Sequence, residues 1–172
     1  MHGDMDTRKP DIAFREYVIP NDVKQVETLV KGTGFFSSEE IGIARELVEA
    51  HLEKGSASGY HFLFAERVHQ MIGYTCFGPI PATQSSFDLY WIALHSCARG
   101  QGIGRLLNAR TEQIVSSMGG QRIFAETSGR SQYEPTRAFY RRCGYHEAAI
   151  LEDFYAPCDA KYIYVKDLNL SE

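Results

Sequence analysis

Apolar residues recur along the first third of the chain in patterns that predict one strand followed by two helices. An alternating run over residues 12–18 is typical of a strand. Proline, asparagine and aspartate at residues 20–22 favour the start of a helix, and Gly32 and Gly34 favour its end. Serines and glutamates at residues 37–40 favour the start of a second helix. The residues expected to face the core are Val23, Val26, Leu29 and Val30 in the first helix and Ile41, Ala44, Leu47, Val48 and Leu52 in the second.

The rest of the chain alternates between strand and helix patterns. Aromatic and β-branched runs at residues 60–64 and 68–77 flank a turn and predict a hairpin. Residues 87–94 have apolar side chains on both faces, as is typical of a strand at the centre of a sheet. A strand at residues 123–127, a helix at 135–143 and strands at 145–151 and 161–165 follow. A helix from Ile103 to the glycines at 119–120 lies between the central strand and the strand at residues 123–127. Its expected inward-facing residues are Leu106, Leu107, Ile114, Val115 and Met118. This order predicts a mixed α/β sheet covered by helices.

Length and composition limit what this fold does. The 172 residues, 44% of them hydrophobic, predict one compact domain over residues 11–172 after a flexible lead-in at residues 1–10. A net charge of -4 argues against a general attraction to nucleic acid or membrane, so we expect a small partner, no nucleic acid and no membrane. Residues 1–10 lack an apolar signal segment, so the expected location is cytoplasmic. The four cysteines and six histidines lack metal-site spacing, and we expect reduced thiols and no metal.

A glycine-rich loop, ARGQGIGR at residues 98–105, joins the predicted central strand to the helix that begins at Ile103. Amide groups without intrahelical partners converge at such a helix start, and glycine lets phosphate oxygens approach the backbone closely. Arg99 and Arg105 add positive charge. The spacing differs from G-x-G-x-x-G and contains no G-K-S or G-K-T, which disfavours dehydrogenase and ATPase loops. The loop therefore predicts a pyrophosphate site, and a tight turn beside a solvated arginine is the alternative.

Two segments resemble the signatures of the GNAT superfamily of acetyl-CoA-dependent N-acetyltransferases. LHSCARGQGIGRLL at residues 94–107 resembles its Q/R-x-x-G-x-G/A motif, and TRAFYRRCGY at residues 136–145 resembles its A-x-x-F-Y-x-x-x-G-F/Y helix and turn. Ser96 and Thr136 are mild departures, standing where proline and alanine are frequent. The resemblance covers residues 12–168 and implies a mostly antiparallel mixed sheet of about seven strands, splayed at a central pair and flanked by about four helices.

The resemblance also implies how a cofactor binds. Amides of residues 101–104 would hold the pyrophosphate of acetyl-CoA, and no metal is implied. The central strand would splay at residues 92–94, pair with the pantetheine arm like an added strand and polarise the acetyl carbonyl, which stabilises the charge that develops there. The implied cofactor-binding residues are Ile92, Ala93, Leu94, Arg99, Gly100, Gln101, Gly102, Ile103, Gly104, Arg105 and Tyr140.

Direct transfer to an amine requires an acid and a base. The resemblance implies Tyr140 as the acid, with a core aromatic as the alternative, which is the role expected for Phe139. Glu126 matches a carboxylate of the branch resembling ribosomal-protein N-terminal acetyltransferases and is one candidate base. Asp88 is the other, placed by alternation on one face with Tyr90, Ile92 and Leu94. For each carboxylate, the alternative to a role as base is an ion pair with a nearby arginine that only stabilises the structure. Cys97, with only His95 near it in sequence, is expected to be a buried or loop thiol.

The acceptor pocket is expected between the loop at residues 32–38 and the segment at residues 152–159, which is predicted to be a loop between the last two strands. Phe35, Phe36, Tyr90 and Tyr155 are the candidate substrate-binding residues, with Phe154 and Tyr133 nearby. The carboxylates Asp88, Glu126, Glu152 and Asp153 suit a cationic acceptor, which predicts an amino acid, a polyamine-like amine or a peptide N-terminus. A non-catalytic acyl-CoA sensor or partner module is the alternative function. Exposed aromatic residues on an edge strand would allow a homodimer.

Overall fold

A computed structural model describes residues 11–169 and contains the predicted elements in the predicted order. The predicted lead-in at residues 1–10 lies outside this range. The elements are β1 (Ala13–Arg15), α1 (Asp22–Thr33), α2 (Ser38–Lys54), β2 (His61–Arg67), β3 (Gln70–Pro79), β4 (Ser86–Leu94), α3 (Ile103–Ser117), β5 (Arg122–Ser128), α4 (Glu134–Arg142), β6 (His146–Ala156) and β7 (Asp159–Asp167). The α/β class and a mixed sheet of seven strands are thereby confirmed.

The sheet has the strand order β1-β2-β3-β4-β5-β7-β6, and its one parallel pair within the described residues is β4 with β5. That pair runs from Ser86↔Arg122 to Leu89↔Ala125 and then stops, while both strands continue. The remainder of β4 stays bonded to β3, and the remainder of β5 stays bonded to β7. The predicted splay of the central pair is therefore confirmed, and it begins at Tyr90.

Helices pack on both faces of the sheet and create two cores. The core under α3 and α4 contains Leu107, Val115 and Tyr140, and the core under α1 and α2 contains Val26, Val30 and Val48. Three residues predicted to face inward are exposed instead: Leu52 by 39%, Leu106 by 42% and Met118 by 40%.

The inner stripe of α3 includes polar positions, which explains the error there. Asn108 and Thr111 are both buried, and the Thr111 hydroxyl lies 2.7 Å from that of Thr75 on β3. A hydrogen-bonded polar residue can occupy the core. A prediction that counts only apolar residues as inward-facing therefore includes Leu106 and Met118 and omits Asn108 and Thr111.

A β-bulge in β4 changes which side chains share a face. Cys76 of β3 pairs with Trp91 and Phe77 pairs with Leu89, so Tyr90 is the extra residue. Before the bulge Asp88 faces α1 and α2, whereas after it Ile92 and Leu94 pack against the core under α3. An inserted residue reverses the alternation of all that follow it. The prediction that Asp88 shares a face with Ile92 and Leu94 is therefore wrong.

Local signals position the loop between α1 and α2. Gly34 ends α1 in the left-handed conformation at φ 73°. The side chain of Ser37 accepts from the Glu40 amide at 3.2 Å, and the Glu40 carboxylate accepts from the Ser37 amide at 2.8 Å. This capping box fixes the start of α2. The predicted serine cap is confirmed, and residues 35–36 are held in a short connection between two defined helix ends.

The segment predicted as a loop before the last strand belongs mostly to β6. Pairing of β6 with β7 is interrupted between Leu151↔Lys161 and Ala156↔Asp159. Residues 152–155 therefore protrude from the hairpin. Asp153, at φ 54°, accepts at 2.7 Å from the amide of Cys158, so its carboxylate supports the turn. No helix within residues 11–169 has the length and apolar character needed to cross a membrane.

Candidate functional site

A cleft of about 540 Å³ opens where β4 and β5 separate. Its floor is the end of β4, and its walls are the α1–α2 loop and one side of α4. The residues that line it include Phe35, Phe36, Ile92, Ala93, Leu94, Ala98, Arg99, Gly100, Gly102, Ile103, Gly104, Arg105, Thr136, Phe139 and Arg142. All predicted cofactor-binding residues therefore lie at this cleft except Gln101 and Tyr140.

The loop before α3 presents unpaired amides at the mouth of the cleft. Gly100 and Gly102 have φ values of 70° and 78°, which glycine adopts without strain. The first amide of α3 that is bonded to a backbone carbonyl is that of Leu106, which donates to Gly102 at 3.1 Å. Within residues 11–169, the amides of residues 101–105 have no hydrogen-bond acceptor. With the positive end of the helix dipole behind them, these amides form an anion site.

Side chains add charge to this anion loop and hold its shape. Arg99, Arg105 and Arg142 are exposed and line the mouth. Arg67, at the end of β2, donates to the Gln101 side chain at 3.2 Å, and Gln101 in turn donates to the carbonyl of Cys97 at 2.5 Å. Arg67 was not predicted from the sequence, since it lies on a distant hairpin and no local pattern connects it to the loop. Gln101 itself is not among the residues that line the cleft.

The floor of the cleft is a strand edge without a partner. Within residues 11–169, β4 after Leu89 is bonded to β3 on one side only, so its other edge faces the gap before β5. A Cβ added at Gly104 would lie 3.2 Å from side-chain carbons of Leu94 and Phe139, so a glycine allows α3 to start directly against the floor. A free edge of this kind accepts an extended ligand that carries amide groups.

Aromatic residues form the wall contributed by the α1–α2 loop. The ring of Phe35 lies 6.0 Å from that of Tyr133 and 5.6 Å from the guanidinium of Arg99. The Tyr133 hydroxyl donates to the Phe35 carbonyl at 3.1 Å. Phe36 packs edge-on against Trp91 at 4.8 Å. Phe35 and Phe36 are thus brought to the cleft together.

Two other candidate acceptor residues lie outside the lining of the cleft. The ring of Tyr90 contacts Tyr60 at 5.5 Å on the α1–α2 face of the sheet. Tyr155 is 50% exposed on the protruding part of β6. Burial raises the pKa of Tyr155, and the charge of Glu126 adds to that effect.

Helix α4 presents Phe139 to the cleft and buries Tyr140. Tyr140 is 4% exposed, and its ring centroid lies 5.5 Å from that of Tyr145 and 5.6 Å from that of Tyr164. Burial raises the pKa of the Tyr140 phenol, which keeps it protonated. Phe139 packs against the core under α3 and α4, as expected of a core aromatic, and it also lines the cleft. The acid role of Tyr140 stays a prediction.

The two candidate bases lie near the splay in different environments. Glu126 forms an ion pair with Lys161, so its partner is a lysine and not the arginine considered above. Asp88 is half-buried and has no ion-pair or hydrogen-bond partner within the described residues. Burial raises the pKa of Asp88, the charge of Glu126 raises it further, and the charge of Lys161 opposes both.

Cys97 is an exposed thiol in the short turn that follows β4. Its sulfur lies 3.0 Å from Nδ1 of His95, and its amide donates to the same nitrogen at 3.3 Å. Both contacts are local to the turn. The thiol does not line the cleft.

Comparisons with known proteins agree with this geometry. The family model described as an acetyltransferase (GNAT) domain matches residues 58–147. A comparison with curated protein sequences found no match. A GNAT-family acetyltransferase structure from Desulfovibrio desulfuricans is 46% identical with a TM-score of 0.91, over 92% of this chain and 99% of that chain.

More distant structures share the fold. An aminoglycoside 6'-N-acetyltransferase in complex with coenzyme A is 17% identical with a TM-score of 0.73, over 93% of this chain and 99% of that chain. The PaiA N-acetyltransferase of Thermoplasma acidophilum, also in complex with coenzyme A, is 20% identical with a TM-score of 0.69, over 91% and 99%. From the family model and the 46% identity to the Desulfovibrio protein, the chain belongs to the GNAT family of acetyltransferases.

Proposed function

We propose that this enzyme transfers the acetyl group of acetyl-CoA directly to a primary amine. The acceptor is a small molecule, such as an amino acid or a polyamine-like amine, or a peptide N-terminus. One observation supports the proposal most directly. In the part of the chain that the structure describes, five consecutive amides at residues 101–105 are unpaired and adjoin the free edge of β4 in one cleft. The pyrophosphate of coenzyme A suits the unpaired amides, and its amide-bearing arm suits the free strand edge.

The residues of the cleft fit this cosubstrate. Amides of the anion loop, with Arg99 and Arg105, would bind the pyrophosphate through charge-assisted hydrogen bonds. Backbone groups of Ile92, Ala93 and Leu94 would bind the arm as an added strand, and an amide of this edge would polarise the carbonyl. Acetyl-CoA supplies the activated acyl group. The coenzyme A complexes of the aminoglycoside and PaiA enzymes support this choice, since those proteins share the fold.

Residues of α4 and of the splayed strands supply the remaining chemistry. The phenol of Tyr140 is proposed as the proton donor to the departing thiolate, and its protonated state near neutral pH suits a donor. Phe139 contributes an apolar ring to the cleft beside Tyr140. Asp88 and Glu126 are the candidates that take the proton of the amine.

The charge near the splay favours an amine over an anionic acceptor. Asp88 and Glu126 together carry more negative charge than Lys161 neutralises. We refer to these three residues as the acceptor face. Phe35 and Phe36 give the adjoining wall an apolar surface, which suits the hydrocarbon part of an acceptor.

The test compares two charge reversals on the same helix. Arg105 lines the mouth of the cleft, whereas Arg110 lies further along α3, with its guanidinium 4.2 Å from the ring of Phe14. We expect Arg105→Glu to weaken coenzyme A binding by about 10- to 100-fold, the range for a hydrogen bond to a charged group. Arg110→Glu should change it by less than about threefold. Isothermal titration calorimetry measures both.

Turnover is measured as thiol released from acetyl-CoA with a panel of amino acids, polyamines and short peptides. Release driven by one class of amine supports the proposal and names the acceptor class. Tight binding of acetyl-CoA with no acetylated acceptor across the panel would point to the sensor function instead. Equal loss of binding in both arginine variants would remove the anion loop from the proposal.

A further inference from the structure

Three charged side chains meet on one face of the sheet at the point where β4 and β5 part. Asp88 lies one residue before Leu89, the last β4 residue paired with β5. Glu126 directly follows Ala125, the last β5 residue paired with β4. Glu126 is opposite Ile163 on β7, so Lys161 is its diagonal neighbour on the same face. Register alone therefore places these groups together.

Lys161 is held in place against Glu126. Its ammonium contacts Oε2 of Glu126 and lies 4.4 Å from the ring centroid of Phe154, a cation–π distance. The Lys161 side chain is 14% exposed, whereas that of Glu126 is 45% exposed. A lysine fixed between a carboxylate and a ring is a defined part of the site. One oxygen of Glu126 is consequently engaged before any acceptor binds.

Asp88 lacks such a partner. Within residues 11–169 no ammonium, guanidinium, hydroxyl or amide donates to it, although it is half-buried. The charged groups that act on it are Glu126 and Lys161. The tyrosine beside it is Tyr90, whose pKa is raised to about 12 by burial, with the charge of Asp88 adding to the effect. Asp88 is thus the carboxylate with both oxygens free for an incoming cation.

We propose that Lys161 separates the roles of the two carboxylates, holding Glu126 as a fixed negative charge while Asp88 binds the ammonium group of the acceptor and accepts its proton. Lys161 is then a positioning residue, and Asp88 is the proton acceptor. This inference rests on the proposed function, and it selects between two bases that the sequence left open.

The proton balance of the transfer follows from this division. The acceptor R–NH3+ gives one proton to Asp88, and the freed nitrogen lone pair forms the new C–N bond at the acetyl carbon. The C–S bond breaks, and its electron pair leaves with sulfur. The nitrogen loses a second proton as the amide forms, and sulfur gains a proton to become the thiol. Asp88 returns its proton to solvent, so one proton is released per turnover.

The pH dependence of kcat/KM tests the division of roles. Asp88 acts deprotonated, so the rate falls as the pH falls through its pKa. Lys161→Gln removes the group that lowers this pKa and should shift the acid limb to higher pH. Glu126→Gln removes the group that raises it and should shift the limb to lower pH, with a smaller loss of kcat/KM than in Asp88→Asn. Asp88→Asn should lower kcat/KM by about 100-fold or more.

Lys24→Gln is the matched control, since Lys24 is an exposed lysine of α1 outside the cleft. It removes the same charge and should leave the pH profile unchanged. The proposal is overturned if Glu126→Gln loses as much activity as is expected of Asp88→Asn, or if Lys161→Gln and Glu126→Gln move the limb in one direction.

A titration of the Asp88 carboxyl carbon by NMR gives a readout that does not need turnover. In the protein without acetyl-CoA, Lys161→Gln should raise the pKa of Asp88 and Glu126→Gln should lower it. Opposite shifts in a protein that acetylates no amine would support the electrostatic arrangement and refute the proposed function. Opposite shifts with full activity in Asp88→Asn would refute the proton-acceptor role, and no shift in either variant would refute the role of Lys161.

Discussion

The anion loop and the acceptor face adjoin the same splay but are built in different ways. The anion loop is one continuous segment, and its binding groups are backbone amides exposed by two glycines and a helix start. The acceptor face is assembled from three strands, and its groups are side chains that meet through strand register. The loop depends on local conformation, whereas the face depends on how distant segments align.

This contrast has a functional consequence. A site made of backbone amides tolerates most changes of side chain, provided that the glycines remain, so its specificity for a phosphate group is stable. A site made of side chains on neighbouring strands changes with single substitutions. We therefore expect substitutions at the acceptor face to alter the choice of amine without altering affinity for coenzyme A.

Among the variants outside the acceptor face, the largest effect is expected for the acid on α4. Tyr140→Phe removes the buried hydroxyl and leaves the ring packing on Tyr145 and Tyr164 in place. We expect kcat to fall by about 100-fold, the lower range for loss of a general acid, with coenzyme A affinity unchanged. Steady-state kinetics and calorimetry measure the two quantities.

Tyr145→Phe is the control for that variant. It removes a hydroxyl from the same aromatic cluster, one that donates to Asn108 at 3.2 Å. It should lower the melting temperature and leave kcat within about threefold of the parent. A kcat loss of equal size in both variants would show that the cluster matters for packing only and that Tyr140 is not the acid.

The next largest effect is expected at the backbone of the anion loop. Gly102 is at φ 78°, where a β-branched residue is strained by about 1–3 kcal/mol. We expect Gly102→Val to weaken coenzyme A binding by about 10- to 100-fold. Gly42→Val is the control, because Gly42 lies in α2 with negative φ and open space around it. Similar affinities in the two variants would contradict a backbone-built phosphate site.

The sequence predicted the regions that local rules control. The order of elements, the capping box at Ser37 and the start of α3 at Ile103 all follow from short patterns. The loop that opens α3 was found for the same reason, since its glycines and the following helix are contiguous.

Features that depend on pairing between segments were missed or misplaced. The bulge at Tyr90 has no signature in its own strand, because it is defined by how β4 pairs with β3. It reversed the expected face of Ile92 and Leu94 relative to Asp88. The ion pair between Lys161 and Glu126 likewise follows from the register of β5 with β7, which single-strand patterns do not contain.

The smallest expected effect tests whether the anion loop and the aromatic wall of the α1–α2 loop bind their ligands independently. Tyr133→Phe removes the hydrogen bond to the Phe35 carbonyl and leaves the packed rings in place. Losing one such bond should raise KM for the amine by about three- to tenfold, with kcat retained. Tyr17→Phe, at a tyrosine that is 69% exposed, should change neither.

The affinity of Tyr133→Phe for coenzyme A distinguishes two interpretations of its higher KM. The ring of Phe35 also lies 5.6 Å from the guanidinium of Arg99 in the anion loop. A shift of the α1–α2 loop would therefore disturb a side chain of the phosphate site. An unchanged affinity in Tyr133→Phe would establish that the two regions bind their ligands independently. A parallel loss of coenzyme A affinity would show instead that Phe35 couples them through its contact with Arg99.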